Sequence, residues 1–154
     1  AKNTKSKIYS IETDPEWVTK TLNLLDKADL KKVNLKHIDI GKVGHYGRPF
    51  SFKNHFNFTE YTNYFWDKKI KPDFILIDGR FRVCSFLTCL KYASNDTPIL
   101  FDDYIERKYY HIVEKFIKIS ETNSRQALFI KESNTKFNKI ELDQMINNFR
   151  FVVD

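Results

Sequence analysis

The chain alternates short apolar runs, each ending in an acid, with stretches of helical spacing. The plainest run is Phe74-Ile75-Leu76-Ile77, bounded by Pro72-Asp73 before it and Asp78-Gly79 after. Apolar residues without polar alternation predict a strand buried on both faces, as in a parallel sheet covered by helices. Pro98-Ile99-Leu100-Phe101 repeats the pattern and leads straight into Asp102-Asp103. Nearer the start, Lys7 to Ile11 reads as a strand that Glu12 ends. Val33 to Ile40 reads as another, with Ile38 and Ile40 inward and Asp39 near its end. An acid where such a strand stops points into the crevice at the carboxyl edge, where open α/β sheets bind ligands.

The intervening stretches predict helices. Asp14-Pro15-Glu16 is a helix start, with Asp14 as N-cap, Pro15 in the first turn and Glu16 near the positive end of the dipole. Val18, Thr21, Leu22 and Leu25 share its apolar face, and its end is expected near Ala28 to Leu30. The aromatic-rich Phe50 to Trp66 is a lid, an insertion, or a helix near Thr59 to Trp66. Val83, Phe86, Leu87 and Leu90 predict a helix after Asp78, and Tyr109, Ile112, Val113 and Phe116 one after Asp102. Phe116 to Glu121 and Gln126 to Glu132 flank Thr122-Asn123-Ser124-Arg125 as an antiparallel hairpin. Leu142, Met145, Ile146 and Phe149 mark a final helix, followed by the apolar tail Phe151 to Val153. The alternation predicts the α/β class with a mostly parallel sheet, antiparallel at one edge.

Three of the four glycines, Gly41, Gly44 and Gly47, fall in one loop before Pro49. Their spacing superficially suggests a phosphate loop, but the Lys-Ser/Thr ending is missing and no helix opens there.

Composition narrows the classes. At 154 residues the chain has the size of one domain. Its 42% apolar content, with fourteen Phe and eight Tyr, excludes disorder. No apolar run nears the roughly 18 residues of a membrane helix, and no signal-peptide pattern opens the chain. The expected setting is cytoplasmic, with Cys84 and Cys89 as core thiols in a reducing compartment. Zinc would need more ligands at tighter spacing. The net charge is +6 with dispersed lysines. That reads as solvated faces, or as attraction for a phosphorylated or nucleotide-linked substrate or a nucleic acid.

Tyr9-Ser10-Ile11-Glu12-Thr13-Asp14-Pro15-Glu16-Trp17 resembles the second strand and following helix of the class I S-adenosylmethionine-dependent methyltransferases, a Rossmann-like fold. The resemblance implies that Glu12 accepts hydrogen bonds from the cofactor's ribose hydroxyls and that Asp39 lies near its adenine. Read alone, Glu12 caps a helix or faces solvent. Ile77-Asp78-Gly79 and Phe101-Asp102-Asp103-Tyr104 resemble the metal-dependent O-methyltransferases of catechol and macrolide-sugar type. That implies Asp78, Asp102 and Asp103 as Mg²⁺ ligands, hard oxygen donors suited to octahedral geometry. The ion would lower the pKa of an acceptor hydroxyl. The same likeness makes Asp78 and Asp102 catalytic and sets Asp78 beside the cofactor. The residues alone equally suit a helix N-cap with a solvated acid, and a turn at Asp78.

Gly79-Arg80-Phe81-Arg82 departs from the metal-dependent pattern. Arg80 and Arg82 would neutralise the carboxylates or grip an anionic substrate group, with Tyr104 as a further substrate contact. His45 and His111 are candidate bases, and His111 joins the expected catalytic set.

The family's glycine-rich loop should precede Lys7, and Ala1 to Ser6 look like the end of the helix that follows it. Without the central first strand, the second and fourth strands would pair directly or remain apart. The expectation is a single methyltransferase-like domain over residues 1–154, either a fragment or a degenerate relative. It would transfer a methyl group from S-adenosylmethionine to oxygen of a small sugar-like or anionic molecule, as a monomer or homo-oligomer and without a membrane. The rivals are a non-catalytic scaffold of the same fold and a basic module for polyanions or nucleic acid.

Overall fold

The computed structural model describes residues 3–154. The helix end expected over Ala1 to Ser6 lies partly outside the described residues, and residues 3–7 form no helix. The chain divides into two compact units, Ala1–Tyr61 and Thr62–Asp154.

In the first unit β1 (Ile8–Glu12) pairs in parallel with β2 (Val33–His37), in register from Ile8 opposite Val33 to Glu12 opposite His37. Helix α1 (Pro15–Asn23) starts as the sequence predicts, with the Asp14 carboxylate accepting from the Glu16 amide at 2.8 Å. It stops well before Ala28, because the Asp26 carboxylate accepts from the amides of Ala28 and Asp29 and opens α2 (Lys27–Leu30). A capping carboxylate inside an expected helix marks a new beginning. Strand β2 is also shorter than expected, although Ile38 and Ile40 beyond it are buried. Helix α3 (Phe58–Asp67) leads on into the second unit.

The second unit holds a four-stranded sheet of β3 (Ile75–Ile77), β4 (Pro98–Phe101), β5 (Glu121–Asn123) and β6 (Gln126–Ile130), in the order β3-β4-β6-β5. β3 and β4 are parallel, while β6 runs antiparallel to both β4 and β5. One mostly parallel sheet was expected; the described residues form a parallel pair and a mixed sheet. The antiparallel hairpin at one edge is as expected, with its second strand directly beside β4; the difference is that β1 and β2 pair in a sheet of their own.

β3 also corrects the expectation of a strand buried on both faces. Ile77 is buried, but Phe74 and Leu76 are 55% and 54% exposed. β3 ends the sheet order, and only its Ile75 and Ile77 side packs into the core.

Helix α4 (Arg82–Tyr92) buries Val83, Phe86, Leu87 and Leu90 as the spacing predicts. The Phe86 ring lies 5.4 Å from that of Phe101 and 4.7 Å from that of Phe129. Lys131 Nζ donates to the carbonyls of Leu90 and Ala93, a cation at the negative end of the helix dipole. Helix α5 (Lys139–Phe149), capped by Asn138, adds Leu142 to this core.

The helix expected after Asp102 is a 3₁₀ helix, Lys108–Lys115. Its three residues per turn bring Tyr110, Val113 and Phe116 inward at a spacing of three, and Tyr109, expected inside, is exposed. Cys84 and Cys89 are buried, and burial pushes their pKa values up to about 11 and about 12, so both are inert core thiols. Among the described residues no helix is long and apolar enough to cross a membrane.

Phe129→Ala should cost about 3–5 kcal/mol, the usual loss for an aromatic removed from a packed core. Urea unfolding of the two proteins measures it, and an unchanged midpoint would contradict this placement of the core.

Candidate active site

The parallel pairing of β3 and β4 positions the main acidic cluster. Ile77 lies opposite Phe101, so Asp78 and Asp102 follow paired positions at the same, carboxyl, end of the two strands. Immediately beyond, Phe81 and Asp103 take left-handed backbone with φ of 54° and 55°. Side chains rarely adopt this conformation, and it persists where surrounding contacts over-determine it.

Those contacts centre on Arg82, 4% exposed. Its Nε donates to Gly79 O at 3.0 Å, its Nη1 to Asp102 O at 2.8 Å and Asp103 Oδ2 at 3.4 Å, and its Nη2 to Asp78 Oδ1 at 3.1 Å. The Arg82 amide donates to Asp154 Oδ1 at 2.7 Å, so the tail carboxylate caps α4.

A second guanidinium arrives from the hairpin. Arg125 Nη2 lies 3.1 Å from Asp102 Oδ2, and its Nε lies 3.2 Å from Asp102 Oδ1 and 3.3 Å from Asp103 Oδ1. Gln126 Nε2 donates to Asp102 Oδ1 at 2.7 Å. Arg107 Nη2 donates to Asp103 Oδ2 at 2.9 Å. Asp102 is buried, whereas half of the Asp78 side chain reaches solvent.

These surroundings drive the two acids apart. Burial pushes the Asp78 pKa up, with Arg82 opposing and the Asp102 charge adding to the rise, so it lies above the ordinary value. Burial acts upward on Asp102 too, but the bonds from Gln126 and Arg125 outweigh it and hold its pKa below the ordinary value. A protonated Asp78 would donate to the Asp102 carboxylate. Such a divergent pair is how a site separates a proton-carrying group from a fixed charge.

Arg82, expected to neutralise the carboxylates or grip an anionic substrate group, is buried and pairs with Asp78 and Asp103, and Tyr104, expected to contact substrate, is buried as well. Tyr104 Oη donates to Glu114 Oε1 at 2.9 Å. His111 stacks on the Tyr104 ring at 4.8 Å, with Nε2 positioned to donate to Tyr104 O at 3.3 Å. It thus packs with Tyr104 and Glu114. Arg80 is half-buried, and its charge lowers the Asp154 pKa, which burial raises overall. His45 lies on the exposed glycine loop of the first unit.

The three expected Mg²⁺ ligands do not fit a divalent ion as they stand. Both oxygens of Asp102 and both of Asp103 already face guanidinium groups. Among the described residues no group of three His, Cys, Asp or Glu is arranged to hold a metal.

In the first unit Glu12 and Asp39 sit toward the carboxyl end of the β1/β2 ladder. Glu12 Oε1 accepts from the amides of Thr13 at 2.6 Å and Asp14 at 2.9 Å. Asp39 Oδ1 accepts from the Gly41 amide at 2.8 Å and from Asn54 Nδ2 at 3.4 Å. Each carboxylate is therefore oriented by its own turn. The bonds named use one oxygen of each, and two carboxylates fixed at strand ends fit a nucleoside diol and amine.

Sequence reasoning missed Arg107, Glu114, Arg125, Gln126 and Asp154. Arg125 and Gln126 were read as part of the hairpin and its turn. Register is what makes them site residues: Ala127 opposite Phe101 brings the turn beside Asp102.

No protein-family model matches the chain, and no curated protein matches it either. Among solved structures, a methyltransferase-like protein from Silicibacter pomeroyi matches with a TM-score of 0.79 at 28% identity. The match covers 94% of this chain and 76% of that protein. The fold is methyltransferase-like.

Arg125→Gln should make the protein more acid-sensitive. A carboxyl whose pKa is lower folded than unfolded stabilises the fold above the unfolded value of 3.8, and that contribution fades as pH falls through the folded value. Asp78 and Asp154, both raised, act oppositely and lose their contribution as pH rises past 3.8. Removing Arg125 raises the Asp102 value and should move the acid-unfolding midpoint, followed by circular dichroism, to higher pH. An unmoved midpoint would contradict the pairing.

Proposed function

We propose that this chain is a methyltransferase using S-adenosylmethionine, transferring the methyl group to oxygen of a small sugar-like or anionic molecule. The observation that carries the reading is the Asp78–Asp102 pair, two neighbouring carboxyls at parallel strand ends with proton affinities pushed in opposite directions. The methyltransferase-like neighbour supports it at the level of fold.

In this reading Glu12 accepts from the ribose hydroxyls and Asp39 from the adenine amino group. S-adenosylmethionine would supply an electrophilic methyl carbon on a sulfonium centre, with the carbon–sulfur bond breaking and S-adenosylhomocysteine as the leaving group. Asp78, solvent-reachable and with raised affinity for a proton, takes the proton that the acceptor hydroxyl loses as its oxygen bonds to that carbon. Asp102 stays ionised, locked by Arg125 and Gln126, and orients Asp78. Arg80 favours an acceptor bearing a phosphate or carboxylate. No step runs through a metal.

The second reading is a non-catalytic scaffold. It is favoured by how fully Asp102 and Asp103 are neutralised by arginines and by the engagement of Glu12 and Asp39 in their own turns.

Calorimetric titration with S-adenosylhomocysteine separates the two. Methyl transfer predicts measurable heat, weakened roughly 10- to 100-fold in Glu12→Gln by loss of a charge-assisted hydrogen bond, and unchanged in Asp78→Asn. No heat with the unaltered protein favours the scaffold, and equal weakening in both variants would remove the division of roles.

A further inference from the structure

The glycine loop and the residues after it carry chemistry that the methyl-transfer reading leaves unused. From Gly41 to Asn57 the chain has Lys42, Arg48 and Lys53, two histidines and no acidic residue. Four rings stand out from it: Tyr46 is 79% exposed, Phe50 69%, Phe52 54% and Phe56 67%. An exposed ring by itself needs no explanation. Four within eleven residues, interspersed with cations, form a patch with one chemical character.

The segment is built to hold these rings outward. Val43 bridges Pro49, the Gly44 amide donates to Arg48 O at 2.8 Å, and the Phe50 amide donates to Lys42 O at 2.9 Å. At the tip Tyr46 is left-handed, with φ of 59°, and the loop is anchored below by Thr13 Oγ1 donating to Gly47 O at 3.2 Å. The Phe50 ring rests on the Gly44 backbone, where an added Cβ would come within 2.8 Å of it, and Lys42 Nζ lies 5.6 Å from its centre. Further along, Asn57 Nδ2 donates to Asp39 O at 2.6 Å. A surface ordered before binding loses less entropy when it binds.

The kind of ring decides between partners. Every exposed apolar side chain in the segment is aromatic; its aliphatic Val43 and Pro49 are half-buried. Burial in a bilayer rewards aliphatic and aromatic groups alike, whereas stacking on nucleobases rewards rings alone, with cations beside them for the phosphates.

We propose that residues 42–56 bind single-stranded nucleic acid, with Tyr46, Phe50, Phe52 and Phe56 offering faces to bases and Lys42, Arg48 and Lys53 meeting phosphates. This surface is independent of the methyl-transfer chemistry and stands or falls apart from it.

The test is fluorescence anisotropy of the whole protein with a labelled oligothymidylate of about 15 nucleotides, near the upper end of common site sizes. Three phosphate contacts predict that log K falls with log salt at a slope of about −2. Phe50→Ala and Phe56→Ala should each weaken binding by roughly 5- to 100-fold, the range for one lost base stack, without altering the slope. Lys42→Ala with Lys53→Ala should flatten the slope by about 1.4, and Lys136→Ala with Lys139→Ala by clearly less. All four altered pairs or positions are exposed, so circular dichroism should be unchanged. The proposal is overturned by absence of binding at low salt, by ring variants that bind as tightly as the parent, or by equal effects of the two lysine pairs. Sedimentation with phosphatidylserine vesicles gives the membrane outcome: capture by vesicles without oligonucleotide binding also overturns it.

Discussion

A single buried guanidinium organises the second unit. Arg82 reaches Gly79 O beyond β3, Asp102 O beyond β4, and the carboxylates of Asp78 and Asp103. Moving such a charge out of water costs several kcal/mol unless its donors are matched, and removing one partner of a buried pair is strongly destabilising. Arg82 is matched by oxygens from both strand ends, whose separation the parallel pairing of β3 and β4 sets. The geometry between Asp78 and Asp102 follows from that separation. The same residue begins α4, whose first amides are capped by Asp154.

Charge in this cluster is shared unequally. Asp102 is buried and receives two donors from Arg125 and one from Gln126, and these outweigh its burial. For Asp78 the Arg82 charge opposes partial burial but does not outweigh it, with two carboxylates nearby. The hairpin from Glu121 to Ile130 thus does more than extend the sheet: by bringing Arg125 and Gln126 to Asp102, it lowers the proton affinity of Asp102 relative to that of Asp78. The guanidinium groups on Asp102 and Asp103 also explain why a cluster rich in carboxylates is a poor cage for a divalent ion.

Much of the frame was legible in the sequence, and the failures have local causes. Glu12, Asp14-Pro15 and the apolar runs before Asp78 and Asp102 marked strand ends and a helix start through capping chemistry and run length. The α1 boundary was misjudged because the apolar face ran up to Leu25 and the capping carboxylate of Asp26 was not weighed. Tyr109 was placed inside because a 3.6-residue period was assumed where the chain takes a period of three. Leu76 was placed inside because an apolar run cannot say whether its strand is covered on both faces. For Arg82 the sequence left open whether it neutralises the acids or grips a substrate, since sequence gives adjacency but not burial. Arg125, Gln126 and Asp154 depend on long-range register, which single-sequence reasoning does not supply.

The central claim is that the two carboxyls beyond β3 and β4 differ in proton affinity because their surroundings differ. Carbon-13 NMR titration of aspartate carboxyls, assigned with Asp78→Asn and Asp102→Asn, measures it directly. Asp78 should titrate above 3.8 and Asp102 below it; both titrating together at the ordinary value, or in the reverse order, would contradict the account.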